Sequence, residues 1–135
     1  MIVADVNLLA YLLIGGPFTD AAQAVMVRDS DWVAPRLWRH EFLNILATTV
    51  RAGVFDESHA KALWKAAPVF LDDAAEEPPA PEVLRHSIAS RIATYDCEYV
   101  ALAEMLGTRL VTADRRVLSA FSHVALSIED FAAGQ

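Results

Sequence analysis

The chain has 135 residues, 55% of them hydrophobic and 21% charged, which is enough apolar material for one sizeable core and too little length for two. Five Gly and six Pro, with no repeat or low-complexity stretch, exclude disordered, collagen-like and solenoid architectures. A formal net charge of −7 excludes a protein that coats nucleic acid by bulk electrostatics, so any nucleic-acid chemistry has to be local.

The N-terminal Ile2 to Ala4 is a short apolar run that ends at Asp5. Asn7 then precedes Leu8, Leu9, Leu12 and Leu13 at helical spacing until Gly15-Gly16-Pro17 interrupts them. This segment has no basic flank and carries Asp5 and Asn7 inside its apolar run, so it reads as the start of the fold and not as a signal peptide. No uninterrupted apolar stretch reaches the roughly 18 residues of a membrane span. Phe18 to Arg28 is a second predicted helix with Thr19 as its cap, and Trp32 to Ala34 a short strand. Arg36 to Ala52 follows as a helix with Trp38, Phe42, Ile45, Leu46 and Val50 on its apolar face and Gly53 just beyond its end. Asp56 to Leu71 is a further helix, bent by Pro68.

Asp72 to Pro81 is acidic and Pro-rich, no longer than a large loop, and does not divide the chain into domains. Predicted helices then span Glu82 to Ile92 and Asp96 to Leu106, the second closed by Gly107. Arg109 to Thr112 is a strand ending at Ala113-Asp114, Arg115 to Phe121 a short helix, and Val124 to Ser127 a last strand. Short apolar strands alternating with helices make residues 1 to 135 a single α/β domain with a mostly parallel central sheet flanked by helices.

Three aspartates occupy equivalent places: Asp5 after a strand, Asp96 opening a helix and Asp114 after a strand. In an open parallel sheet ligands bind beyond the carboxyl ends of the strands, where Asp5 and Asp114 fall and Asp96 can join them. Glu41 lies on a stripe with Leu37, Asn44 and Thr48 at the edge of its helix's apolar face. Each aspartate taken alone reads equally well as a helix N-cap. Taken together, converging carboxylates repel one another unless a cation sits among them, and carboxylates without Cys or clustered His favour Mg²⁺ or Mn²⁺ over Zn²⁺. The four histidines, His40, His59, His86 and His123, lack metal-ligand spacing. The one cysteine, Cys97, has no disulfide partner and fits a reducing cytoplasm.

The succession V-A-D5-V-N7, R-H-E41-F-L-N44, Y-D96-C-E-Y-V-A-L-A-E and L-V-T112-A-D114-R-R resembles a PIN-domain ribonuclease of the VapC toxin type over essentially the whole chain. The acidic Asp72 to Pro81 departs from the pattern, which carries a more apolar strand there. The resemblance implies Mg²⁺- or Mn²⁺-dependent hydrolysis of RNA phosphodiester bonds. Asp5, Asp96 and Asp114 would hold metal, Glu41 would bind metal or orient water, and Asn7 and Thr112 would hold the acids in place. Arg115 and Arg116 can meet RNA phosphates or pair with neighbouring acids. The resemblance also implies a cognate antitoxin and a homodimer, for which Leu8, Leu12, Leu13, Phe18, Trp64 and Phe70 offer apolar surface.

Two other classes remain open. A phosphate-accepting receiver-like domain has similar length, but needs an adjacent acidic pair after the first strand and a late lysine, whereas the last lysine here is Lys65. A non-catalytic α/β binding module would use the aspartates as caps alone, and divalent-metal binding separates it from an enzyme.

Overall fold

A computed structural model describes all residues 1–135. Five strands, β1 (Ile2–Ala4), β2 (Trp32–Ala34), β3 (Asp72–Asp73), β4 (Leu110–Thr112) and β5 (Ala125–Ser127), form one fully parallel sheet in the order β3-β2-β1-β4-β5. β1 lies at its centre and all three of its residues are buried, as are all three of β4, because helices cover both faces of such a sheet.

The helices are α1 (Val6–Ile14), α2 (Thr19–Arg28), α3 (Trp38–Arg51), α4 (Glu57–Ala66), α5 (Ala80–Ser90), α6 (Thr94–Leu106), α7 (Arg115–Ala120) and α8 (Ile128–Ala132). The chain steps outward from β1 to β2 to β3, then returns across the sheet to β4 on the other side of β1. α5 and α6 form the connection from β3 to β4, and α6 packs against β1 and β4. The reversal between β1 and β4 leaves a crevice at their carboxyl ends, where open α/β sheets bind ligands.

Packing follows the sequence pattern closely. On α3 the buried Trp38, Phe42 and Leu46 recur every four residues, and Trp38 and Phe42 form an aromatic cluster with Trp64 of α4 at centroid separations of 6.2–6.4 Å. α6 buries six residues, Cys97 and the run Tyr99 to Ala103, and is nearly apolar all round because it fills the space between α5 and the sheet.

Several boundaries differ from the sequence expectation for identifiable reasons. Thr19 is not a cap: it is the first residue of α2, and its hydroxyl donates to the Tyr11 carbonyl at 2.7 Å, tying α2 to α1. α3 begins at Trp38 and not at Arg36, with no side-chain cap before it. α4 is capped by Asp56 and ends at Ala66; Pro68 sits in a separate 3₁₀ turn, Ala67–Val69. α5 starts at Ala80 because Pro81 is acceptable in a first helical turn, whose amide has no partner to lose. α8 is an addition to the expected elements, and Ser127 accepting from the Asp130 amide at 3.0 Å is its recognisable cap signal.

The acidic Asp72 to Pro81 segment does contain a strand, the two-residue edge β3. Its Asp73 carboxylate accepts from Trp38 Nε1 at 2.8 Å and from the Arg39 guanidinium at 3.1–3.3 Å, fastening the start of α3 to the sheet edge. The charge lies at an edge, where short acidic strands also discourage intermolecular pairing. Burial would raise the Asp73 carboxyl, but these two donors outweigh it and hold the group below its ordinary range.

Asp73→Ala should therefore cost about 1–3 kcal/mol by leaving the buried Trp38 N–H unpaired, read as a lower urea midpoint with an unchanged slope. Unchanged stability would show that α3 is held by its apolar face alone.

Candidate active site

Asp5 follows β1 directly and caps α1, its Oδ1 accepting from the Asn7 amide at 3.4 Å. Its Oδ2 accepts from the Thr112 hydroxyl at 2.6 Å, across the paired ends of β1 and β4. Thr112 is buried, and its Oγ1 also accepts from the Asp114 amide at 3.1 Å. Asp114 caps α7 through the amides of Arg116 at 2.9 Å and Val117 at 3.4 Å. One hydroxyl thus links the backbone that positions both acids. Asn7 contributes to this arrangement through its backbone, its side chain being exposed.

Asp96 does not open its helix as expected from sequence. The cap position of α6 belongs to Ala93, and Asp96 sits in the third helical position. Its carboxylate meets the Arg116 guanidinium at 3.7 Å, and the same Nη2 lies 3.3 Å from Asp114. Arg116 therefore bridges two of the acids. Arg115, exposed beside it, has no ionic partner in the chain, and together with Arg116 and with Arg91, from the turn after α5, it lines an open cavity.

Glu41 comes from α3, and its Oε1 accepts from the Tyr99 hydroxyl of α6 at 2.6 Å. Sequence patterning does not single out Tyr99; its position three residues after Asp96, on one helix face, is the available signal. Burial, reinforced by Glu41, pushes its phenol well above the ordinary range, so Tyr99 stays a neutral donor. Glu41 also lines an open cavity of about 430 Å³ with Leu37, His40, Asn44 and the exposed Tyr95.

The carboxyls are not electrostatically equivalent. Burial raises Asp5, its hydrogen bonds to Thr112 and the Asn7 amide pull it down, and Asp96 and Asp114 raise it further, leaving a net upward shift. Asp96 is raised by burial and then by Asp114, with Arg116 opposing. Asp114 is desolvated too, but Arg116 and its two capping amides outweigh that and hold it below the ordinary range. Glu41 is pushed up to about 7, first by burial and then by Asp5, Asp96 and Glu98, against the Tyr99 hydrogen bond. Asp5, Glu41, Asp96 and Asp114 thus share one field. No three of them stand close enough together, as arranged, to hold a metal ion among them.

An all-oxygen, mutually repelling set of this kind fits Mg²⁺ or Mn²⁺, which take one or two carboxylates and keep several waters. It fits Zn²⁺ poorly, since no histidine joins the carboxylates in a metal-holding group: His40 only shares the cavity beside Glu41, and His86 is buried against Glu104, which also faces His123. Glu104, on the exposed face of α6, thus partners two histidines.

The PIN domain family matches residues 2–125. No curated protein matches the chain. Among solved structures, the crystal structure of PAE2754 from Pyrobaculum aerophilum aligns at 24% identity with a TM-score of 0.79, covering 98% of this chain and 92% of that one, a likeness of fold.

The raised Glu41 carboxyl has a consequence for stability. Between about pH 4.5 and 7 the unfolded chain has released this proton while the folded chain still holds it. Stability contributed by the protonated folded form is therefore present below about 4.5 and lost as pH rises through about 7. Glu41→Gln should remove this part of the slope, worth on the order of 1–2 kcal/mol once partial exposure is discounted. Metal-free melts of both proteins across that window check it; parallel curves would show that Glu41 titrates normally.

Proposed function

The chain belongs to the PIN domain family, whose members are generally nucleases that use divalent metals, and on that premise we propose that it hydrolyses RNA phosphodiester bonds with Mg²⁺ or Mn²⁺ as the toxin of a VapC-type toxin–antitoxin pair. The observation that carries the enzymatic reading is Asp96. Its carboxylate receives no backbone hydrogen bond and caps nothing, yet it stands at the crevice beside Asp114 and Arg116. Helix capping accounts for Asp5 and Asp114 but leaves Asp96 without a structural task, which disfavours a module that uses its aspartates only as caps.

Asp5, Asp96 and Asp114 would hold the ion, with Glu41 binding it or orienting water. Bound there, a divalent ion supplies stabilisation of the charge that develops on the phosphoryl and leaving oxygens and makes water a better nucleophile. Thr112 fixes the rotamer of Asp5 and the backbone of Asp114. Tyr99 occupies Oε1 of Glu41 and so orients the remaining carboxylate oxygen. Arg116 neutralises Asp96 and Asp114 and is positioned to meet a phosphate oxygen.

A homodimer and a cognate antitoxin belong to the same proposal. Supporting surface exists in an apolar cavity of about 390 Å³ between α3 and α4, lined by Leu43, Leu46, Val50 and Trp64. Leu43, Val54 and Phe18 are 46%, 65% and 48% exposed. Of the apolar residues assigned to partner surface from sequence, Leu8 is fully buried, and Leu12, Leu13, Trp64 and Phe70 pack partly against the core. No single helix is long and apolar enough to cross a membrane, and action in the cytoplasm forms part of the proposal.

Purified protein should cleave single-stranded or structured RNA only with Mg²⁺ or Mn²⁺, and excess EDTA should stop it; cleavage surviving EDTA would exclude the metal role. Mg²⁺ at roughly ten times its Kd should add about 1.4 kcal/mol, or about 3–5 °C in Tm. Asp96→Asn should fold at least as stably, lose most of that shift and lose cleavage, since no cap is disturbed. A variant that keeps both would remove Asp96 from the site.

Expression of the protein alone should arrest bacterial growth, and expression of Asp96→Asn should not. Unimpaired growth at high soluble expression of an RNA-cleaving protein would count against the toxin role.

A further inference from the structure

Of eleven Lys and Arg residues, three meet at one place. Arg91, Arg115 and Arg116 line an open cavity of about 540 Å³ together with Ser90 and Ser119, and no acidic residue lines it. Elsewhere the basic side chains are largely engaged: Arg36 with Glu77, Arg39 with Asp73, Lys61 with Glu57 and Arg85 with Glu82, while Arg109 donates to the carbonyls of Val124 and Ala125. In the cavity only Arg116 has ionic partners, Asp96 and Asp114. Arg91 and Arg115 have none, in a chain of net charge −7.

Arg91 is also the one non-glycine residue with a left-handed backbone, at φ 64° and ψ 15°. α6 ends in nearly the same conformation at Gly107, φ 64°, where no side chain is strained. An arginine at the end of α5 gives up stability that glycine would keep, and its guanidinium finds no partner in the chain to offset the loss. The turn is nevertheless firmly held. Ser87 Oγ donates to the Ile92 carbonyl at 2.6 Å, the Ile92 amide donates to Ser90 Oγ at 3.1 Å, and Ile92 is buried. Arg91 is thus presented from a braced backbone.

We infer that this cleft is a phosphate-binding subsite for the RNA strand, in which Arg91 and Arg115 grip a phosphodiester next to the one held at the acids. The identification of the anion as RNA rests on the nuclease proposed above. Continuity favours it: Arg116 belongs both to the cleft and to the Asp96–Asp114 pair. The lining also favours it, because two serines and three guanidiniums, with only Ile92 and Ala120 apolar, suit an anion better than the buried aromatic or aliphatic anchor of a protein partner. Arg91 and Arg115 bind substrate and take no part in the chemistry at the acids.

The test is binding of a fluorescein-labelled single-stranded RNA to the whole protein in EDTA, where no cleavage occurs, over a range of salt. Arg91→Gly removes the guanidinium and relieves the left-handed backbone together, so it should melt at an unchanged or higher temperature while weakening binding about tenfold. It should lower the slope of log K against log salt by about 0.7, the loss of one phosphate contact. Arg115→Ala should do the same without touching that turn, and Arg91→Lys should keep the salt slope while losing part of the affinity. With metal restored, KM should rise and kcat hold in all three. Unchanged affinity and slope in both Arg91→Gly and Arg115→Ala would overturn the subsite, as would variants that bind RNA normally but lose binding to a labelled acidic peptide. If the protein binds RNA with the expected salt slopes but cleaves none with Mn²⁺, the subsite stands and the nuclease reading fails.

Discussion

The pairing of β1 with β4, strands separated by more than a hundred residues of chain, is the contact on which the site depends. It sets Thr112 within 2.6 Å of Asp5 and, through the next turn, sets Asp114 as the cap of α7. Both strand ends are buried and hydrogen-bonded on either side, so neither can shift register without exposing its apolar residues. The acids at the crevice therefore inherit the rigidity of the sheet's centre. Asp96 and Glu41 come from helices instead, and each is held by a single long-range polar contact, to Arg116 and Tyr99 respectively.

Bringing four carboxylates together is costly, and the fold offsets the cost differently at each. Asp114 is satisfied by two amides and a guanidinium and stays ionised. Asp5 receives a hydroxyl and an amide, which do not compensate fully for burial. Glu41 has one phenol and holds its proton up to about pH 7. Asp96 has only a long contact to an exposed arginine. This gradient runs from satisfied to unsatisfied across one crevice, and the electrostatic deficit at its far end is what a cation or a cationic contact would relieve. Functional sites commonly keep such local deficits while the remainder of the chain satisfies its polar groups; here no buried side-chain polar atom lacks a partner.

Much of this arrangement is legible in the amino-acid sequence, for physical reasons. Short apolar runs ending in Asp mark β1 and β4 because parallel strands are buried on both faces and their exits need a polar residue. The alternation of elements sets the fold class, and the spacing of Glu41 within α3 puts it at the core's edge. The departures cluster where tertiary structure overrules local propensity. Asp96 resembles a cap because Asp is an excellent one, but Pro81 allows α5 to start earlier and Ser87 and Ser90 tie off its end, so α6 begins two residues upstream. β3 is polar because its job is to receive Trp38 and Arg39, a tertiary demand that hydropathy does not encode. Tyr99 and Arg91 escape sequence patterning for a similar reason: one acts through a helix-to-helix hydrogen bond, the other through a backbone conformation that residue type does not announce.

A chain of net charge −7 with an acidic crevice is ill-suited to a polyanion only while charge is averaged over the molecule. In physiological salt an exposed charge is screened within about 8–10 Å, so a polyanion would respond to the groups lining its cleft and not to the charge of the whole chain. In the cleft Arg91 and Arg115 are unpaired, and Arg116 is the guanidinium that keeps Asp96 and Asp114 from presenting two bare negative charges. The same cation has two competing claims on it, since any divalent ion drawn to Asp96 and Asp114 lowers the attraction that holds Arg116 there. Without that attraction the guanidinium would be free to turn toward the cleft it already lines. Were a cation to fill the acids, the proposed grip on phosphate beside them would strengthen as well, two results of one exchange of partners.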